Sequence, residues 1–231
     1  MQETNSTSEL IRDDSVIPAV RGFLHRPANP NRDGLVLSHG AGSNANAPLL
    51  IALAETLSAE GFFVLRCDLP YRQSRSYGPP GPGDAVRDRA GLKNALAALG
   101  KFAQGRMFLG GHSYGGRQST ILCAQEPGLA GGLLLMSYPL HPPRKPEQLR
   151  TQHFPELQTP ALFIHGTRDP FASTEEIQKA LELIPAKVKL KEIEGAGHDL
   201  GFEKKSVSRE LQGKIAEEFR EFFGSGISSV K

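Results

Sequence analysis

Short apolar segments alternate with segments of helical pattern along most of the chain, and this alternation restricts the possible folds more than any other feature. Continuous apolar runs of four to eight residues are typical of parallel strands that are covered on both faces. Six such runs are present, at Gly34–Ser38, Phe62–Cys67, Met107–Gly110, Gly132–Ser137, Ala161–His165 and Lys187–Ile193. An earlier segment, Val16–His25, alternates less regularly and predicts one or two strands at the sheet edge.

Helical patterns fill most of the intervals between these strands. They cover Pro48–Glu60, Ala85–Ala103, Tyr114–Gln125, Ser173–Leu183 and Val207–Phe223. Gly61 directly follows the first of them, and Pro127 and Pro185 follow the third and fourth, as expected at helix ends. Strands that alternate with helices predict an α/β fold, with a mostly parallel central sheet and helices on both faces. The functional site of such a sheet lies at the carboxyl ends of its strands.

Length and composition fit one folded unit. The chain has 231 residues, of which 39% are hydrophobic and 23% charged, enough to bury a full core. We predict a flexible lead-in at residues 1–14, a single domain at 15–224 and a polar tail at 225–231. Two proline-rich stretches, Tyr71–Asp84 and Tyr138–Thr159, follow predicted strands and are expected to lie over the functional edge. The second is too short to form a large lid.

Charge and hydropathy argue against several classes of function. The formal net charge is +2, and the basic residues are spread along the chain, so no nucleic-acid patch is expected. No apolar run reaches the roughly 18 residues that cross a membrane, and residues 1–14 lack the apolar centre of a signal peptide. Cys67 and Cys123 lack the paired spacing of a zinc site, so we predict no metal. The presence of only two cysteines in the sequence favours a reducing, cytoplasmic location. Nucleotide binding is not expected, because neither G-x-G-x-x-G nor G-x-x-x-x-G-K-[ST] follows a strand.

A glycine-rich turn after the strand Met107–Gly110 contains a candidate nucleophile. Residues Gly111–Gly115 read G-H-S-Y-G, which is the G-x-S-x-G pattern between a strand and a helix. The glycines permit a tight turn that forces the hydroxyl of Ser113 out at the sheet edge. The backbone N–H of Tyr114 would lie at the start of the helix, where it can donate to a developing oxyanion.

A serine nucleophile needs a base, and the base needs an acid that orients it. His198 follows the last predicted strand in a glycine-rich loop and is the candidate base. Asp169 follows the strand Ala161–His165 and is the candidate acid, which gives the chain order serine, acid, histidine that accompanies this turn. The competing acids are Asp68, at the end of another strand, and Asp199, which is adjacent to the candidate base.

A second oxyanion donor is expected in the loop after the strand Gly34–Ser38, where the chain reads H-G-A-G-S. The N–H of Ala41 is the first candidate and that of Gly42 the second. His39 and His112 are expected to stabilise the loop and the turn rather than to react with substrate.

Cationic side chains are expected near the same edge. Arg72, Arg117 and His141 are candidate substrate-binding residues, because arginine binds carboxylate or phosphate with two parallel hydrogen bonds. Arg75 and Lys145 belong to the same predicted group. The alternative is that the arginines pair with the local acids Asp68, Asp84 and Asp88 and only hold the loops. The sequence leaves both interpretations open.

The chain resembles the α/β-hydrolase superfamily from about Val16 to Phe223. More narrowly, it is similar to the predicted hydrolases grouped with testis-expressed protein 30 and NSL complex subunit 3, which are dienelactone-hydrolase-like. The matching stretches are Ser38–Gly42, Leu69–Tyr71, Gly115–Arg117, Tyr138–Pro143, Lys145–Pro146, Leu149–Thr151, His153 and Asp169–Phe171. His112 departs from the lysine expected in many relatives. The resemblance implies the hydrolase fold and a serine-hydrolase site, and the group also contains members regarded as complex subunits.

Two functions are compatible with these residues. The first is hydrolysis of an ester, thioester or related acyl bond in a small-molecule substrate, through an acyl-enzyme on Ser113 and without a cofactor. The same triad supports acyl transfer, amide hydrolysis and peracid formation. The second is a non-catalytic interaction or scaffold protein with the same fold, which the complete serine–histidine–aspartate set argues against. No nucleic-acid or membrane partner is expected.

Overall fold

Eight strands form one open sheet in the computed structural model, which describes residues 7–202 and 208–224. The strands are β1 (Thr7–Asp13), β2 (Val20–Arg26), β3 (Gly34–Ser38), β4 (Phe63–Cys67), β5 (Met107–His112), β6 (Gly132–Met136), β7 (Ala161–Gly166) and β8 (Val188–Ile193). Their spatial order is β1-β2-β4-β3-β5-β6-β7-β8. The β1–β2 and β2–β4 pairs are antiparallel, and every other pair is parallel.

Helices cover both faces of this sheet. They are α1 (Pro48–Ala59), α2 (Pro70–Ser74), α3 (Asp84–Leu99), α4 (Tyr114–Gln125), α5 (Thr174–Leu181) and α6 (Ser208–Phe223), with a 3₁₀ helix at Phe154–Glu156. Apolar residues of α1 and α6 pack in one core, and those of α3, α4 and α5 pack in the other. None of the helices in the described part of the chain is both long and apolar enough to cross a bilayer.

The central strands show why continuous apolar runs predict them. In β3, Leu35 and Leu37 belong to the core under α1 and α6, whereas Val36 belongs to the opposite core. All three are 0% exposed. Because neighbouring side chains of a strand point to opposite faces, a strand that is buried on both faces needs an apolar residue at every position. The fold class predicted from the sequence is therefore confirmed.

Local chain chemistry sets several helix ends. Pro48 is at the first position of α1, where its missing N–H breaks no hydrogen bond. Helix α5 begins with a capping box, in which the Ser173 hydroxyl accepts from the Glu176 N–H and the Glu176 carboxylate accepts from the Ser173 N–H. Between β6 and β7 the chain forms only the short 3₁₀ helix, so this described segment contains no large lid.

The amino-terminal boundary needs a correction. Residues 7–13 form β1 rather than part of a flexible lead-in, and they pair with β2 in a register that places Leu10 opposite Phe23. The prediction was wrong there because an edge strand can keep polar side chains facing water, so it lacks an apolar run. An ion pair between Glu9 and Arg26 joins the two strands. Residues 1–6 and the predicted tail at 225–231 lie outside the described residues.

Candidate active site

Ser113 lies on the sharp turn between β5 and α4. Its backbone has φ 51° and ψ −114°, a conformation that residues with a side chain rarely adopt. The turn is tight, since a Cβ on Gly115 would lie 2.4 Å from the Ser38 hydroxyl oxygen and 2.8 Å from the His39 carbonyl oxygen. Glycine at this position therefore allows the turn to pack against the end of β3 and to present the serine at the sheet edge.

The structure brings together the three residues of the predicted triad. His198 Nε2 lies 2.9 Å from Ser113 Oγ, and His198 Nδ1 lies 2.8 Å from Asp169 Oδ2. Asp169 is fully buried at its side chain, whereas the His198 side chain is 23% exposed. In a neutral imidazole that donates from Nδ1 to Asp169, Nε2 has a free lone pair that can accept the serine proton.

Backbone contacts hold the acid in place. The second carboxylate oxygen of Asp169, Oδ1, accepts from the Phe171 N–H at 2.9 Å. His165 packs beside it, with Nε2 2.9 Å from the Ala172 carbonyl oxygen. The competing acid Asp68 is engaged elsewhere, because its Oδ1 accepts from the Ala45 N–H at 2.7 Å.

Two rings enclose the candidate base. The Phe171 ring lies 4.2 Å from the His198 ring between centroids, and the His112 ring lies 5.0 Å away. His112 Nε2 is 2.7 Å from the His198 carbonyl oxygen, so as a donor it fixes the loop that carries the base. Burial, and then the charge of His198, lower the pKa of His112 to about 4, which keeps its ring neutral. The predicted position of His112 in the turn is correct, but its contact with the His198 loop was not predictable from the sequence.

The predicted oxyanion loop, residues 39–43, lies against the nucleophile. A Cβ on Gly40 would lie 3.6 Å from Ser113 Cβ and 2.9 Å from His112 Nδ1, so only glycine permits this approach. The Tyr71 hydroxyl donates to the carbonyl oxygens of Gly40 and Ala41, at 3.2 and 2.9 Å. Among the described residues, the N–H groups of Ala41 and Tyr114 have no hydrogen-bond acceptor.

His39 links this loop to the segment after β4. Its Nδ1 donates to the Gly40 carbonyl oxygen at 2.9 Å, while Nε2 accepts from the Leu69 N–H at 3.1 Å. Burial lowers the pKa of His39, which favours the neutral ring that this donor and acceptor pair requires. The hydrogen bonds agree with a stabilising role for His39.

Asp88 joins the serine turn to the segment that supports the oxyanion loop. It lies on α3 with no exposed surface, and its two oxygens accept from the Tyr114 hydroxyl at 2.7 Å and the Tyr71 N–H at 3.0 Å. Burial raises the pKa of this carboxyl. From the sequence, Asp88 was expected only as a partner for arginines. Tyr71 lies in a stretch of the family resemblance, which is the one sequence feature that could have pointed to this contact.

The Arg72 side chain is bonded to the backbone and does not project into solvent. Its guanidinium donates to the carbonyl oxygens of Ser43, Arg75, Ala41 and Gly78, and the residue is only 7% exposed. Arg75 forms an ion pair with Asp84. Of the two interpretations that the sequence leaves open for these arginines, the contacts favour the structural one.

The other two candidate substrate-binding residues lie in different surroundings. His141 is 5% exposed, with Nδ1 2.8 Å from the Pro142 carbonyl oxygen and Nε2 3.4 Å from a carboxylate oxygen of Glu176 on α5. It is thus directed to α5 and not to the triad. Arg117 follows the serine by one helical turn, and its backbone N–H donates to the Ser113 carbonyl oxygen at 3.0 Å.

A cavity of about 200 Å³ opens beside the serine turn. It lies between the oxyanion loop and the start of α1. Its apolar wall comes from Pro48, Leu49 and Leu50 of α1 and from Phe202. Its lining also includes Gly40 and His112 of the candidate site.

Comparison with known proteins finds similar sequences and similar folds. A sequence profile described as "Alpha/beta hydrolase domain" matches residues 31–223. Several solved structures superpose over nearly the whole chain. A dienelactone hydrolase from Anabaena variabilis is 20% identical with a TM-score of 0.73, covering 95% of this chain and 97% of that one.

Two further structures have similar scores. An alpha-beta serine hydrolase homologue from Coxiella burnetii is 18% identical with a TM-score of 0.70, covering 94% of this chain and 99% of that one. A serine hydrolase without a lid from Xanthomonas campestris is 17% identical with a TM-score of 0.72, covering 93% and 94%. At these identities the likeness shows the fold alone.

Proposed function

The chain belongs to the α/β-hydrolase family, and we propose that it is a serine hydrolase that cleaves an ester, thioester or related acyl bond. The observation that supports this most is the continuous hydrogen bonding from Ser113 through His198 to Asp169, at 2.9 and 2.8 Å. In this proposal the three residues are nucleophile, base and orienting acid. No cofactor takes part in the reaction, and the substrate is a small acyl compound.

Each half of the proposed reaction uses the same proton acceptor. As Ser113 Oγ attacks the substrate carbonyl carbon, His198 Nε2 takes its proton, and Asp169 stabilises the imidazolium that forms. His198 then gives that proton to the leaving group, and the acyl-enzyme remains. A water molecule reverses these steps: His198 accepts its proton, the oxygen attacks the acyl carbon, and Ser113 regains its hydrogen.

The N–H groups of Ala41 and Tyr114 are the proposed oxyanion donors. Both belong to segments beside Ser113, and Tyr114 is the first residue of α4, where the helix dipole favours negative charge. Removing one such donor from an oxyanion hole typically costs about 10²- to 10³-fold in rate. The cavity lined by α1 and Phe202 would take an apolar part of the substrate.

Within the family, we propose the narrower relationship to the hydrolases grouped with testis-expressed protein 30 and NSL complex subunit 3. We also propose a cytoplasmic location, since Cys67 and Cys123 are both buried and unpaired, as is usual in a reducing compartment.

Labelling with a fluorophosphonate probe tests the proposed nucleophile. Wild-type protein is expected to be labelled at Ser113, and Ser113→Ala is expected to lose the label and about 10⁴- to 10⁶-fold in turnover of a 4-nitrophenyl ester. Ser8→Ala, which removes an exposed hydroxyl on the edge strand β1, is the matched control and should keep both. Circular dichroism establishes that each variant is folded.

Two results would contradict the proposal. A folded Ser113→Ala protein with nearly normal turnover would exclude this serine as the nucleophile. A folded wild-type protein that neither labels nor hydrolyses any ester or thioester would favour the scaffold function.

A further inference from the structure

Basic side chains gather around α4 without acidic partners. We call Arg89, Arg117, Arg150 and His153 the α4 basic cluster. Arg89 comes from α3, and Arg150 and His153 come from the segment between β6 and β7, which contacts α4 on another side. Within the described residues, no carboxylate forms an ion pair with any of the four.

Arg117 is the member nearest to the nucleophile. It lies one helical turn, about 6 Å of helix rise, after Ser113. Its side chain lies near the buried hydroxyl of Tyr138, whose pKa is raised by burial and partly lowered by the charge of Arg117. The Arg117 Nε atom is buried and has no hydrogen-bond partner among the described residues. A buried N–H without an acceptor costs free energy, so this donor would gain from a ligand oxygen.

Arg150 contacts the same tyrosine. The Tyr138 hydroxyl donates to the Arg150 carbonyl oxygen at 2.8 Å, and Arg150 Nη1 donates to the Pro139 carbonyl oxygen at 3.2 Å. Burial, and then the charge of Arg117, lower the pKa of the Arg150 guanidinium. Two guanidinium charges that repel one another therefore lie near this tyrosine.

His153 and Arg89 complete the surroundings. His153 Nε2 lies 2.8 Å from the Thr120 hydroxyl, and Arg89 Nη1 donates to Gln118 Oε1 at 2.9 Å. Burial, followed by the charges of Arg117 and Arg89, lowers the pKa of His153 to about 4. A neutral His153 therefore adds no charge to the cluster.

Two of the other basic residues predicted at this edge have acidic neighbours, because Arg75 pairs with Asp84 and His141 lies against Glu176. Arg72 has no such neighbour, but its guanidinium donates to four backbone carbonyl oxygens. The positive charge of the α4 basic cluster is not offset by an ion pair among the described residues. Uncompensated charge in a partly buried position attracts anions.

We propose that Arg117 and Arg150 form a binding site for an oxyanion, carboxylate or phosphate, carried by the substrate itself. Guanidinium groups bind such oxyanions through parallel charged hydrogen bonds. The substrate class is then an ester or thioester with an anionic group a few bonds away from the carbonyl that Ser113 attacks. This inference rests on the proposed hydrolase function.

A pair of esters of equal chain length gives the first test. Wild-type protein is expected to have a kcat/KM for mono-4-nitrophenyl adipate about 10- to 100-fold above that for 4-nitrophenyl hexanoate, because hydrogen bonds between charged groups have this strength. Arg117→Gln should reduce that ratio by about the same factor, and Arg150→Gln should reduce it less. Arg32→Gln is the control, since its exposed side chain precedes β3 at the opposite edge of the sheet.

Calorimetric titration with adipate, and separately with inorganic phosphate, gives a second readout that needs no turnover. Saturable binding of either anion to wild type, weakened at least about 10-fold in Arg117→Gln, supports the site and shows which oxyanion it prefers. Arg150→Gln provides the same comparison if Arg117→Gln does not fold.

The outcomes separate this inference from the proposed function. If Ser113 is labelled and esters are hydrolysed, but the ratio is near one and neither anion binds, the anion site is refuted while the hydrolase stands. Equal slowing of both esters in the arginine variants would also refute the site and assign these residues to support of the loop. Arginine-dependent anion binding in a protein without esterase activity would instead contradict the proposed function alone.

Discussion

His198 has different partners on its two nitrogen atoms, and these partners determine what it can do. Asp169 accepts from Nδ1, so the single N–H proton of the neutral ring is on Nδ1. The other nitrogen, Nε2, faces Ser113 and is free to accept a proton. The rings of Phe171 and His112 restrict its rotation. In the proposed mechanism, the base is therefore held in one tautomer and one orientation before a substrate arrives, which avoids reorganisation during the reaction.

Asp169→Asn tests this arrangement at the level of the residue. The amide would donate to Nδ1 instead of accepting from it, so the ring would carry its proton on Nε2 and could not take the serine proton. We expect a loss of about 10⁴-fold in kcat/KM with the fold retained, measured with a 4-nitrophenyl ester. Asp68→Asn is the matched control and should lose less than about 10-fold. A large loss in Asp68→Asn and a small one in Asp169→Asn would reverse the assignment.

At the level of the elements, the short helix α2 supports the oxyanion loop. It places Arg72 and Tyr71 against residues 39–43, where they occupy the carbonyl oxygens of the oxyanion loop. A carbonyl oxygen that accepts these hydrogen bonds is engaged by α2 and is not free to face a bound substrate. Asp88 connects the same helix to the serine turn through Tyr114. The oxyanion loop, α2 and the turn therefore act as one hydrogen-bonded unit.

Arg72→Gln should weaken this unit without changing the preference for charge. The variant leaves several buried carbonyl oxygens without donors, and we expect the free energy of unfolding to fall by about 2–4 kcal/mol. The kcat/KM values for the neutral and the anionic ester should fall by the same factor, because the oxyanion loop serves both. Urea denaturation and the two-ester assay check these expectations. A selective loss of the anionic ester would show that Arg72 itself binds substrate.

The elements also show how far the sequence alone could lead. Strands such as β3 were predictable because burial on both faces requires an unbroken apolar run. Strand β1 was not, since its register depends on pairing with β2 and its side chains face water. Helix α3 ends at Leu99, four residues before the predicted end, although apolar residues continue to Ala103. Ala103 packs in the core from a turn, and apolar periodicity does not distinguish the two conformations.

The site was predictable to a similar degree. The order of Ser113, Asp169 and His198, each after a strand, placed all three at the same sheet edge. The hydrogen bonds of Asp88 with Tyr114 and of Arg72 with the oxyanion loop were not predictable, because they depend on how α3, α4 and α2 pack together. Motifs identify reacting groups by local spacing, whereas supporting contacts join residues that are far apart in the chain.

For the whole molecule, the sheet divides the interior into two cores and leaves the candidate site at their common edge. Buried histidines lie in different parts of this structure. His25 in β2 accepts from Arg66 at 2.9 Å, His112 lies beside the nucleophile, and His153 lies against α4. Burial is the first cause that lowers the pKa of each to about 4, and a positive neighbour adds to the effect.

These histidines predict how stability depends on pH. In the unfolded chain they take up a proton near pH 6.5, whereas in the folded protein they resist it down to about pH 4. The unfolded state therefore binds more protons in this window, so the free energy of unfolding falls as the pH is lowered from about 6.5 towards 4. The upper limit is about 1.4 kcal/mol per pH unit for each histidine, and partial exposure reduces it.

His25→Gln tests this dependence away from the candidate site. A glutamine can still accept from Arg66 but does not titrate, so the variant should lose less stability than wild type between pH 7 and pH 5. We expect the difference to be about 1 kcal/mol, or roughly 2–4 °C in Tm, because one of the buried histidines that contribute is removed. Thermal unfolding followed by circular dichroism at half-unit steps of pH measures it. If the difference in Tm between the two proteins stays constant from pH 7 to pH 5, His25 is not among the groups that destabilise the fold in acid.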